Sequence, residues 1–562
     1  MNTSPKVLVI GAGPSGLVAA LTLLRNGITV RIVDKGLEAH PGQRGAGIMP
    51  RSLELFERLG VLHDILKEAI PAPPVRRYAL GSAHILHEAE MVPRVEPTPD
   101  IPHPNIFLLG QNRLEPILSE AISKFSGEIE RGTEVVSFEQ SDHGVVVNLI
   151  KHGVPESATY DYVIGADGAR SVVRKLSQFA FQGETRPAER LVVGDIQIGG
   201  LSENYWHMWG ASDIMISVRP TNVFGVFNVA INSSNHSDHD RLSASETAFK
   251  QFVQKYIRSE ASELVFGEVS WLSLFTPNIR MVEKFQLGRV LLVGDAGHVH
   301  SPTGGQGMNS SVQDAFNLAW KLSLVIRNEA SPSLLDTYSE ERIPVIKEML
   351  FQTTQLHNKA FVEKANDAFK RGSTIRQLGI NYRWSSIVLD ERKGAGAVEE
   401  ISAYGGHYDG FLRAGDRAPD ASGLADLSAT RQSENGRLFD LFGPTHHTVL
   451  VFAPALEQYS ALAESVKLSS KGRVQIAVIL KTSQDKVISW TDADAVLEDR
   501  EEHAHNGYKI NDDFGVVVVR PDGVVGAIVG GADGLGKCGA TESMKEMWRQ
   551  VMTDAKNMPK KH

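Results

Sequence analysis

Residues 7–10, Val-Leu-Val-Ile, form a continuous apolar run, and Gly11-Ala12-Gly13-Pro14-Ser15-Gly16 follows without a break. Such a run suits a parallel strand buried on both faces. A helical pattern fills residues 17–25 and closes on Asn26-Gly27. A second apolar run, 29–33, ends on Asp34-Lys35, with Asp34 standing 18 residues beyond Gly16. Strand, G-x-G-x-x-G, helix, strand and acid constrain the chain because each part has its own task. Gly11 permits a tight turn, Gly13 lets a pyrophosphate approach the backbone, and Gly16 lets the helix lie close on the strand. Pro14 and Ser15 open the helix, whose free N–H groups and dipole favour an anion. Asp34 is placed to accept from ribose hydroxyls. These residues predict a dinucleotide site, and the chain is read as holding one.

At 562 residues the chain is too long for that unit alone. Roughly 150 residues per domain implies three or four. The balance of 58 Lys and Arg against 67 Asp and Glu, net −9, argues against a nucleic-acid partner. The single Cys538 excludes a disulfide scaffold, a CxxC redox pair and a cysteine metal cluster. No apolar stretch reaches 18 residues, so no transmembrane segment is expected. The strand-like run at residue 7 leaves no room for a signal peptide, and a cytoplasmic location is expected.

Two later motifs bear on the dinucleotide. A meander-like stretch (134–138 and 145–150) leads into Tyr160-Asp161-Tyr162-Val163-Ile164-Gly165-Ala166-Asp167-Gly168, with Arg170 and Arg174 behind it. Residues 289–293 then run into Gly294-Asp295-Ala296-Gly297-His298. Ser301-Pro302-Thr303-Gly304-Gly305-Gln306-Gly307-Met308-Asn309 follows, and a helix marked by Val312, Ala315, Phe316, Ala319 and Trp320. Together with the first glycine motif, these resemble the single-component FAD-dependent aromatic hydroxylases, the p-hydroxybenzoate hydroxylase and phenol hydroxylase group. The resemblance covers roughly residues 1–350. Arg44 to Arg51 with Ser52-Leu53-Glu54, and Gln111 with Arg113-Leu114-Glu115, add smaller matches.

The resemblance implies that FAD is held by Gly11, Gly13, Pro14, Ser15, Gly16, Asp34 and Lys35 at its adenosine end. Arg44 and Gln111 would contact it along its length, and Asp295 would hold the ribityl chain. Pro302, Gly304, Gly305, Gly307, Met308 and Asn309 would shape the loop against the flavin ring. Asp167 would support both FAD and the pyridine nucleotide. NADPH or NADH would act as transient co-substrate, and O2 would be activated as a flavin C4a-hydroperoxide. One oxygen atom would then pass to a small phenolic or other electron-rich ring. Backbone N–H groups ahead of the Asn309 helix would stabilise reduced flavin, by roughly 0.3–2 kcal/mol. A free phenol titrates near about 10, so a base or cation is needed to populate phenolate.

The expected fold is α/β plus α+β: a Rossmann-like FAD-binding domain (1–178 and 281–390) with an inserted substrate-covering β-sheet domain (179–280, with 71–105). Strands are predicted at 192–198, 214–218 and 223–230. Tyr205, His207 and Arg219 are the candidates for touching substrate there, with Pro302 at the flavin. His236 and His239 have metal-like spacing, but their stretch reads as a polar loop, and no metal site is expected. A linker is expected at 391–412. Residues 413–562 resemble the thioredoxin-like domain appended in phenol hydroxylase, pentachlorophenol monooxygenase and polyketide hydroxylases, here without CxxC. Its predicted parts are strands at 448–452 and 474–479, a helix at 456–467, a hairpin around Pro521-Asp522-Gly523, and a helix at 540–555. The acidic run 498–502 reads as a solvated face. The resemblance also implies a homodimer. Oxidative decarboxylation, epoxidation and Baeyer–Villiger oxidation share the scaffold and stay open. A halogenase lacks its W-x-W-x-I-P here, and a non-enzymatic flavin-binding protein would keep the site without turnover.

Overall fold

The computed structural model describes residues 5–210, 213–259, 263–300, 304–357, 373–392, 402–406, 410–427, 435–452, 474–481, 493–510 and 515–530. The predicted helices at 456–467 and 540–555, and Pro302, lie outside them. The first apolar run forms strand Val7–Ile10, flanked in parallel by Val30–Val33 and Tyr162–Gly165. Ile129–Glu130 and the pair Val290–Leu292 and Gln286–Leu287 complete a six-stranded sheet. Helices Pro14–Arg25 and Gly307–Ile326 pack against each other over it. The meander Thr133–Ser141, Gly144–Lys151 and Val154–Tyr160 hangs beside it.

A second, seven-stranded sheet runs in the order Val265–Phe275, Leu191–Gly199, Val226–Ser233, Ile214–Pro220, Trp206–Gly210, Val75–Tyr78 and Ile85–Ala89. Its last two strands come from the 71–105 segment. The strand expected from residue 223 starts three residues later. Thr221 Oγ1 accepts from the Val223 N–H and Gly225 turns at φ 76°, so a turn takes Val223 to Gly225. His236 and His239 sit in a helix, His236–Ser243, rather than a loop. Asn235 caps it through its side chain, and His239 and Leu242 are its buried face. No group of three His, Cys, Asp or Glu among the described residues could hold a metal ion.

The third sheet orders Leu389–Asp390, Val525–Gly530, Gly515–Val519, His447–Phe452, Val474–Lys481, Ala495–Asp499 and Leu424–Asp426. The Pro521-Asp522-Gly523 hairpin forms, with a bulge beside Val519. Both faces of this sheet are covered. Val449, Val451, Val516 and Val518 join the apolar core of the first sheet, and Leu450, Phe452, Val517 and Val519 build a second core. The acidic run is not one solvated face. Glu498 and Asp499 end a buried strand, and Asp499 accepts from the His505 ring (2.7 Å) and its backbone N–H. Only Glu501 and Glu502 of that run's later half reach solvent as carboxylates. No described helix is long and apolar enough to cross a membrane.

Candidate active site

A cavity of about 1410 Å³ runs from the first glycine loop to the inner face of the second sheet. At its first end Gly11 holds φ 107°, and a Cβ there would lie 2.3 Å from the Ala166 carbonyl oxygen. A Cβ on Gly16 would lie 2.0 Å from the Gly11 oxygen, so Gly16 serves the packing of helix on loop and stays off the cavity. Gly13 differs: a Cβ there meets nothing within 4 Å, and the residue faces the cavity. Pro14, Ser15 and Lys35 also line it. Asp34 accepts from the Ala12 N–H and the Gly36 N–H, both at 2.7 Å, so its carboxylate first shapes the loop. Its oxygens keep lone pairs for a ribose hydroxyl at the cavity edge.

Midway, Arg44 and Gln111 line the cavity, Arg44 from a turn and Gln111 from a helix start. Asp167 is divided: Oδ2 caps helix Val172–Leu176 through the Val172 N–H (2.6 Å), while the buried Oδ1 has no partner. Burial pushes its carboxyl above the usual range, against the Ser171 side chain and the backbone N–H groups of Val172 and Val173. Asp295 is exposed into the cavity from the turn made by Gly294 at φ 59°. Gly304, Gly305, Gly307 and Met308 line it at the start of helix Gly307–Ile326. Asn309 does not reach it. Its amide ties the loop down instead, accepting from Met49 N–H (2.8 Å) and donating to the carbonyls of Gly47 (2.8 Å) and Gly305 (2.9 Å). His298 is likewise behind the wall, its Nε2–H donating to Asp314 (2.6 Å), which also accepts from Arg342 (2.7 Å). Burial alone would raise the Asp314 carboxyl, but Arg342 and His298 outweigh it and hold it low.

At the far end the structure separates the three substrate candidates. Along Trp206–Gly210 side chains alternate, and the cavity takes Trp206 and Met208. His207 points to the opposite face, where Nε2–H donates to the Ser202 carbonyl (2.8 Å) and Nδ1 accepts from the Tyr78 hydroxyl (2.9 Å). Burial pushes it down to about 4, so it is a neutral packed residue and no base for substrate. Tyr205 is also off the cavity, with the Arg76 guanidinium 3.2 Å from its ring centroid. Arg219 does line it, 6% exposed, with Nη1 unpartnered. Burial pushes its guanidinium down to about 10, partly offset by Asp195, so it is cationic at neutral pH. Sequence reading passed over Met208, Met215 and Trp271, which also line this end. The period-2 pattern that places Trp206 inward was the available signal.

The family model described as "FAD binding domain" matches residues 4–353. A flavin-dependent monooxygenase of Mycobacteroides abscessus is 39% identical over 456 residues, 79% of this chain and 88% of that protein. The chain belongs to the flavin-dependent monooxygenases. Pentachlorophenol 4-monooxygenase of Sphingobium chlorophenolicum is 30% identical over 479 residues, 82% of each chain. Aklavinone-11 hydroxylase, solved as a ternary complex with FAD and aklavinone, superposes with a TM-score of 0.78 at 25% identity, covering 98% of this chain and 100% of that one. The flavin-dependent monooxygenase PieE, solved with FAD and substrate, has a TM-score of 0.79 at 22% identity, with 98% and 99% covered.

The residues of this monooxygenase fit FAD. The open side of Gly13 leaves room for a diphosphate at a helix N-terminus. The orphaned Asp167 Oδ1 and the exposed Asp295 offer acceptors for hydroxyls and ring N–H groups. Glycine spacing alone is weaker than it looked, since Gly534, Gly536 and Gly539 also satisfy G-x-G-x-x-G. That second copy, passed over in the sequence reading, lies outside the described residues.

Proposed function

We propose that this monooxygenase hydroxylates an electron-rich aromatic substrate, a phenol carried on one or more fused rings, using NADPH or NADH and O2. The observation that carries this reading is one continuous cavity with two unlike ends. Its volume of about 1410 Å³ exceeds the ~300–1,000 Å³ of a one-ligand pocket, so it suits a cofactor and a substrate together. Bound FAD would supply the redox and oxygen-activating chemistry. The chain's own residues do the rest. N–H groups of the Gly304–Gly307 backbone, at the positive end of helix Gly307–Ile326, favour negative charge at the ring edge. Trp206, Met208 and Trp271 give the aromatic plane apolar faces and keep water out. Arg219 holds a phenolate or carboxylate oxygen by charge, lowering the phenol's proton affinity so that the proton passes to solvent as the ring binds.

The test is NADPH and NADH oxidation by the FAD-loaded protein with phenols, hydroxybenzoates and multi-ring hydroxyaromatics. Strong stimulation by one compound with oxygen incorporated into it, lost as a KM increase in Arg219→Met, is the expected result. A bound flavin that no compound stimulates would overturn the reading.

A further inference from the structure

Asp195 sits where the substrate sheet meets a turn that belongs to the cofactor end. It lies on strand Leu191–Gly199, 3% exposed. Its Oδ1 accepts from Asn228 Nδ2 (2.7 Å) on the neighbouring strand. Its Oδ2 accepts from the backbone N–H of Gln43 (2.9 Å), 152 residues away in the chain. The ladder between Leu191–Gly199 and Val265–Phe275 slips register directly after Asp195, whose partner there is Trp271. The same turn meets Trp271 as well: a Cβ on Gly42 would lie 2.2 Å from the indole Cδ2. On its other side the Gln43 carbonyl accepts from the Gln111 N–H (3.0 Å). Between these anchors Arg44 takes φ 45°, a left-handed conformation costly for a residue with a Cβ, and lines the cavity while exposed.

We propose that Asp195 is a positioning residue, a clamp through which the substrate sheet fixes the Gln43–Arg44 turn against the FAD end of the cavity. A strained turn persists only where its surroundings over-determine it. Here a carboxylate, a tryptophan face and a helix start do so together. A carboxylate suits both bonds. It accepts at both oxygens, whereas an asparagine has one acceptor and turns an N–H toward a donor at the other. Charge also strengthens both bonds. The clamp turns on FAD binding alone and needs no particular substrate or electron donor.

The test uses the full chain and two readouts: FAD affinity, by flavin fluorescence on titrating the apoprotein, and trypsin cleavage after Arg44 in the FAD-loaded protein. Asp195→Asn is expected to weaken FAD binding roughly three- to tenfold, the loss of one to two hydrogen bonds. Cleavage after Arg44 accelerates while the thermal midpoint stays near wild type. The exchanged pair D195N/N228D restores a matched donor and acceptor set and recovers both. Gly42→Ala pushes the turn off Trp271 and reproduces both changes without touching Asp195, which keeps the test available if D195N does not fold. Wild-type affinity and wild-type cleavage in D195N or in G42A would overturn the clamp. A loss in D195N that the exchange does not reverse would overturn it too.

Discussion

Gly11 and Gly13 are two residues apart, yet the structure asks different things of them. Gly11→Ala forces a Cβ into the Ala166 carbonyl at a positive φ, so it is expected to cost about 1–3 kcal/mol of stability even in the apoprotein. Gly13→Ala meets no protein atom and should leave the apoprotein's urea midpoint unchanged, while weakening FAD about tenfold or more by filling the diphosphate's place. Urea unfolding of both apoproteins and FAD titration separate the two roles, and equal effects in both would contradict them. His207 has a pH signature. Its proton affinity is lowered from 6.5 to about 4 by burial, so the unfolded chain binds the proton first. Its contribution is complete above pH 6.5 and is lost as pH falls through the window down to about 4, by up to about 3 kcal/mol. His207→Gln is expected to flatten that part of the stability profile, measured as urea midpoints at several pH values. Both glycines were legible in the sequence, Gly11 because its positive φ calls for glycine and Gly13 because the motif spacing keeps that position bare. His207 was misread because residue type does not say which face of a strand a side chain takes.

Strand Trp206–Gly210 makes the same point for an element. Trp206 faces the cavity and donates its indole N–H to Ser217 Oγ (2.7 Å). Trp209 faces away, fully buried, stacked on Tyr78 at 4.6 Å and donating to the Ser82 carbonyl. Trp209→Ala is therefore expected to destabilise the protein by about 3–5 kcal/mol, while Trp206→Ala costs much less and falls mainly on substrate binding. Thermal melts set beside substrate titration would distinguish them, and equal melting losses would contradict the assignment. Elements with one strong local signal were readable: the apolar strand before each glycine motif, the long helix from Gly307, and the Pro-Asp-Gly hairpin. Those decided by tertiary partners were not. Residues 236–243 form a helix because His239 and Leu242 find a buried side, which the polar sequence does not announce. Residues 498 and 499 are buried because His505 and a neighbouring strand satisfy Asp499, which turns an apparently solvated run into a strand end.

At the scale of the molecule, the third sheet is not an appendage on a linker. Its inward valines share one core with the nucleotide-binding sheet, and charged residues lock the seam. Arg520 makes two bonds to Glu341, at 2.7 and 2.9 Å, and Lys321 reaches the same carboxylate at 2.8 Å. Asp522 accepts from Asn317 and Trp320, and Arg417 reaches Glu54 at 2.7 Å. All of these side chains are buried. Burial raises the Glu341 carboxyl, but Arg520 and Lys321 outweigh it and hold it far below the usual range. Removing one partner leaves the others charged and dry, which costs about 3–5 kcal/mol. Three of the network's residues, Asn317, Trp320 and Lys321, lie on helix Gly307–Ile326, whose first turn lines the cavity. Loosening the seam therefore reaches the cofactor. Arg520→Met is expected to lower stability by that amount and to shift FAD release and global unfolding to the same lower urea concentration. Flavin fluorescence and far-UV circular dichroism on one titration read the two events. If the third sheet unfolded first, with flavin retained at the wild-type midpoint, the shared core would not be the unit of cooperativity.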